Sequence, residues 1–202
     1  MEIDCKKALD QLNFVYSYLA RTGLYRGYHS AAIAYTGICG LAGTLGQFFG
    51  FAGGTTPDHV RFWVFIALAS AVPVALAMLW NYLQWSERLQ RDTREVVAHF
   101  IPCLIIGALI TVLLWDASEE VLRFLPGIWT LVFSLGIFAS RSYLPRSILH
   151  AGIWYLFSGI GLLWMAKGNS AMAFYAIGPA FTVGQFFTAW VLYWNLERGT
   201  NG

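Results

Sequence analysis

YTGICGLAGTLGQFFGFAGG, residues 35–54, carries the strongest signal of how this chain folds. It is apolar, carries a glycine at almost every turn and holds one strongly polar residue, Gln47. In a water-soluble helix each of those glycines costs roughly 1 kcal/mol against alanine. Read as a helix, Ala42, Gly46 and Gly50 fall four apart on one stripe. Small residues at that spacing let two helix backbones approach closely in lipid. The stretch therefore predicts a membrane helix packed in the centre of a bundle.

Composition extends that reading to the whole chain. Of 202 residues, 57% are hydrophobic and 12% are charged, against about 25% charged in soluble domains. Six apolar segments follow residue 29, at 30–51, 61–82, 98–115, 122–140, 147–166 and 171–194. Each is near the ~20 residues that a membrane span needs. The links are short, so consecutive helices should run antiparallel. The expected fold is an all-α membrane protein, a six-transmembrane-helix bundle with possible helical hairpins. Pro73 and Pro179 fall inside spans two and six and predict kinks, while Pro102 and Pro126 read as first-turn prolines.

The charges orient the bundle. An even number of spans puts Lys6, Lys7, Arg21, Arg26, Arg88, Arg91, Arg94, Arg141, Arg146 and Arg198 on one side. Arg61, Arg123 and Lys167 fall on the other. Such a bias predicts both termini in the cytoplasm, and the expected location is a bacterial inner membrane. Residues 2–22 read as an amphipathic helix, with Ile3, Leu9, Leu12, Val15, Tyr16 and Leu19 near 3–4 spacing, lying on the membrane surface or against the bundle. No signal peptide is evident, because residues 1–29 lack a continuous apolar core. The link 86–99 alternates charge signs and should extend helix two or three into water. A net charge of +2 gives no footing for nucleic acid. The domain division is 1–29, 30–195 and 196–202.

Two strings echo each other. LGQFF at 45–49 returns as VGQFF at 183–187, each with a small residue four before its glycine, Ala42 and Ala180. Ala42, Gly46, Gly50, Ala180 and Gly184 are therefore the expected helix-packing positions. Gln47 and Gln185 are the deepest polar residues of spans one and six, and intramembrane polar groups often mark a pathway or site. They define a candidate polar cavity, with interhelical hydrogen bonding as the plainer reading.

His29, His99 and His150 each begin an odd-numbered span and share one expected depth at the cytoplasmic edge. Three imidazoles there would suit zinc with an open position for water, and a facing pair would suit haem. No HExxH spacing supports the metal, and no carboxylate lies within a span to serve as base, so no cofactor is the leading expectation. Cys5, Cys39 and Cys103 have no metal-ligand spacing and read as inert thiols. Trp80, Trp85, Trp190 and Trp194 fit one interfacial belt, and Trp63, Trp115 and Trp164 the other.

FLPGIWTLVFSLGIFASRSYLP at 124–145, with LNFVYSYLARTGLYRG at 12–27 and AIGPAFTVGQFFTAWVLYWNLERG at 176–199, resembles an uncharacterised bacterial family of small six-span membrane proteins. Its matches are structural: Leu125, Pro126, Gly127 and Trp129 start a helix at an interface. Members are often encoded beside winged-helix regulators, so the resemblance implies a sensory or regulatory association and no catalytic residue. The expected function is a non-catalytic membrane-embedded partner, accessory subunit or sensor. Its partners would be the lipid bilayer and a second protein or another copy, recruited through residues 2–22 and the 86–97 link. A small-molecule permease with a path between helices one and six is the alternative, and a metalloenzyme using the edge histidines the second.

Overall fold

The computed structural model describes residues 30–85, 87–168 and 172–198. The expected N-terminal amphipathic helix lies outside them. The elements are α1 (Ser30–Phe48), α2 (Thr56–Gln84), α3 (Glu87–Leu113), α4 (Glu119–Leu122) and α5 (Leu125–Ala139). A 3-10 turn (Arg141–Tyr143), α6 (Ile148–Ala166), α7 (Ile177–Leu192) and a closing π turn (Tyr193–Glu197) follow. Among the described residues there is no strand.

Among the described residues, four stretches are long and apolar enough to cross a membrane: Thr56–Gln84, Thr93–Leu113, Glu119–Ala139 and Ile148–Ala166. The other two expected spans differ for distinct reasons. The regular part of α7 is only 16 residues long before it relaxes into the π turn. α1 has 19 residues, but its glycines, threonines and Gln47 dilute its apolar character.

Helix ends follow local chemistry. α1 stops at Phe48 because Gly50 turns left-handed, with φ +85°. Gly50 N–H then donates to Gln47 O at 3.0 Å, and Phe51 N–H to Gly46 O at 2.9 Å. This is the glycine-ended pairing that satisfies a helix's last carbonyls. Thr55 caps α2, its Oγ1 accepting from Asp58 N–H at 3.3 Å. Ser118 stands at the start of α4 without a side-chain capping bond.

Two proline expectations are corrected. The charged link 87–97 belongs to α3, so Pro102 lies deep inside that helix rather than in its first turn. Conversely α7 begins only at Ile177, so Pro179 sits in its first turn, where its missing N–H has no helical acceptor to lose. Pro73 lies inside α2 as expected.

The helices pack in the order α2, α1, α7, α6, α5, α3, and the residue pairs that meet, such as Gly37 with Phe186 and Gly178 with Thr44, run in opposite directions along each neighbouring pair. The α5–α6 seam is held by close backbone approach. A Cβ at Gly152 would stand 2.5 Å from Phe138, one at Gly127 2.6 Å from Leu163, and one at Gly159 2.7 Å from Leu131. Ser134 Oγ donates across the same seam to Gly152 O at 2.8 Å. One apolar core gathers Ile137, Ile148, Ala151, Tyr155, Val191 and Leu192. A second gathers Val60, Leu122, Leu125 and Met172 near the end that carries the 49–55 turn.

Candidate functional site

Polar groups buried among apolar helices are the places where this chain departs from plain packing. Burying such a group without a partner costs about 1–3 kcal/mol, so each needs an account. Gln47 has one. It is 8% exposed in the last turn of α1. Its Oε1 accepts from Trp63 Nε1–H of α2 at 2.9 Å, and its Nε2 donates to Met172 O in the segment before α7. One amide thus joins three parts of the chain. Trp63 is 5% exposed, so it is a core residue and not part of an interfacial belt. The belt reading missed it because an indole N–H can be satisfied in the core by a partner such as Gln47. Trp115 and Trp164 are exposed, as are Trp80, Trp190 and Trp194.

Gln185 does not join Gln47. It is buried on α7. Its neighbour Gly184 touches α6, where a Cβ would overlap the Tyr155 phenol. Tyr155 is fully buried between Phe133 and Phe181, with ring centroids 4.8 and 5.8 Å away. Its hydroxyl and that of Thr182 are buried without hydrogen-bond partners among the described residues. Ala180 is buried against Leu162, and its carbonyl accepts from Trp154 Nε1–H at 3.0 Å.

The packing face of α1 is shifted from the expected stripe. Ala42 is exposed, Gly46 is half-buried against Phe62 of α2, and Gly50 lies past the helix end. Gly37, Gly40 and Gly43 are the buried glycines. A Cβ at Gly37 would stand 3.3 Å from Phe186, one at Gly40 3.1 Å from Thr182, and one at Gly43 3.1 Å from Trp63. Gly178 packs in turn on Thr44. Gly37, Gly40 and Gly178 lie in close contact along the α1–α7 seam, where a transport path was one expectation.

Of the edge histidines, His29 lies outside the described residues. His99 and His150 are exposed. His99 Nδ1 lies 2.6 Å from Glu95 O, and His150 Nδ1 lies 3.1 Å from Ser147 O. The His99 ring stands 5.2 Å from that of Tyr143. Burial raises the Tyr143 phenol above its usual range, and the Glu95 carboxylate beside it acts in the same direction. Among the described residues no three His, Cys, Asp or Glu side chains come together as a metal site. Cys39 and Cys103 are free thiols.

Near the 49–55 turn, Asp58 accepts from Thr55 Oγ1 at 2.6 Å and faces Arg61 at 3.7 Å. The Arg61 guanidinium also stands 6.0 Å from the Trp115 ring centre. Thr56 Oγ1 donates to Glu119 at 3.2 Å, tying α2 to α4. Comparison of the chain with protein-family models, with curated proteins and with solved structures found no match.

Proposed function

We propose that this chain is a six-span protein of a bacterial inner membrane, with both termini cytoplasmic, that works as a non-catalytic, membrane-embedded partner of another protein. The observation that carries the proposal is the state of α2. It is a 29-residue helix, yet its buried side chains are Val60 and Trp63, both in its first turns. By contrast α5 and α6 bury most of one face each. Along the uncovered part of α2, Ala67, Ala71 and Ala75 are exposed four residues apart. That is the small-residue spacing that lets a second helix approach closely in lipid. The alternation of antiparallel neighbours through α1 and α7 supports six crossings, and the excess of basic residues at one end supports the orientation.

Native mass spectrometry of the protein taken from its own host in mild detergent tests the proposal. A second protein subunit is expected to accompany the chain. Ala71→Phe should release that subunit while the chain itself keeps its thermal transition, because the side chain faces outward. A chain that travels alone, with and without the substitution, would sink the proposal.

A further inference from the structure

We infer that the turn between α1 and α2 holds one phospholipid whose headgroup carries both a phosphate and a primary amine. The inference rests on the chain crossing a membrane and not on the identity of its protein partner.

The groove is made by the backbone. Gly50 and Gly53 adopt φ of +85° and +82°, a left-handed conformation that other residues rarely take. They fold the turn back over the start of α2, so closely that a Cβ at Gly53 would stand 2.7 Å from Asp58 Cβ. The resulting groove is shallow and open to its surroundings, with a volume of about 400 Å³. Phe51 and Gly53 line it from the turn, and Asp58, Arg61, Phe62 and Phe65 line it from α2.

Its chemistry has two halves. At the mouth, Asp58 and Arg61 lie 3.7 Å apart, with side chains 41% and 62% exposed. Their pair is long, so Arg61 keeps its donors, and Asp58, whose Oδ2 accepts from Thr55, keeps capacity at Oδ1. A guanidinium presents a planar fork of N–H donors that matches a phosphate. A carboxylate accepts from an ammonium, and Phe51 lines the same groove. A headgroup with two carbons between phosphate and amine offers the complementary charges at a similar separation. Below the mouth, Phe65, Leu68, Val72 and Leu76 form an exposed apolar strip down α2, where an acyl chain would lie. A glycerol headgroup would satisfy Arg61 alone. A quaternary amine has no N–H for Asp58.

The test uses the full chain in nanodiscs made from equal parts of phosphatidylethanolamine, phosphatidylglycerol and phosphatidylcholine, with retained lipid weighed by native mass spectrometry. One phosphatidylethanolamine should be retained, favoured by about tenfold, which is what one charge-assisted hydrogen bond is worth. Arg61→Gln should remove the retained lipid, and Arg61→Lys, which keeps the charge and loses the fork, should weaken retention. Asp58→Asn should keep a lipid and erase the preference. Equal retention of the three lipids by the unaltered chain would overturn the site, as would an unchanged preference in Asp58→Asn. A chain that fails to enter nanodiscs would overturn the membrane reading instead.

Discussion

Gly184→Val is expected to lower stability by about 3 kcal/mol, the upper range for forcing atoms into a packed core. The added carbons would land on the Tyr155 ring, which is fully buried and hemmed in by Phe133 and Phe181. The phenol is packed on both sides, so α6 and α7 are expected to move apart. Thermal or denaturant unfolding in detergent gives the size of the loss. Tyr155→Leu, which withdraws the atoms nearest Gly184, should make the pair less destabilising than the sum of its parts. Tyr155→Phe alone should be close to neutral, because it removes a buried hydroxyl that has no hydrogen-bond partner among the described residues. A Gly184→Val protein that unfolds with the unaltered chain would show that this seam is not closed in solution.

Gln47→Leu is the second large effect. The substitution leaves the Trp63 indole N–H and the Met172 carbonyl without the partner each now has. Buried groups left unpaired cost about 1–3 kcal/mol each. Measured interhelical bonds in membranes average nearer 0.6 kcal/mol, because the unfolded chain finds other partners. Weighing both, we expect a loss of about 2 kcal/mol. Trp63→Phe removes the indole donor, so the double variant should show a coupling of about 1 kcal/mol in a double-mutant cycle. Strict additivity would mean that the two side chains do not communicate. The loss should be felt at the start of α7 as well as in α2, since Met172 lies in the segment that leads into α7.

Both effects depend on residues whose types were visible in the sequence but whose neighbours were not. Gln47 and Gln185 stood out equally, as lone polar residues in matching strings. Only the folded chain separates them: Gln47 bridges α1, α2 and the 172 segment, while Gln185 is buried beside a glycine that touches Tyr155. A repeated pentapeptide carries no information about what lies across the seam. The glycine stripe shows the same limit. A spacing of four pointed to Ala42, Gly46 and Gly50, yet the buried positions are Gly37, Gly40 and Gly43, three apart. On a glycine-rich helix several stripes of small residues coexist, and the partner helices select one. Gly50 is spent on ending the helix instead.

The composition and run lengths determined the material: an all-helical chain of long apolar runs joined by short links, six by that reading, of which four stand among the described residues as helices long and apolar enough to cross a membrane. Those properties follow from residue composition and from run lengths, which are local. The proline assignments failed where a helix began far from its apolar run, as α3 does at Glu87. Tertiary structure alone decided which faces meet, which polar groups find partners, and that α2 is left largely uncovered by the described residues. The physical reason is that lipid accepts any apolar face, so hydrophobic pattern cannot say which face is buried. Close approach of backbones and the pairing of a few polar atoms make that choice, and both depend on residues far apart in the chain.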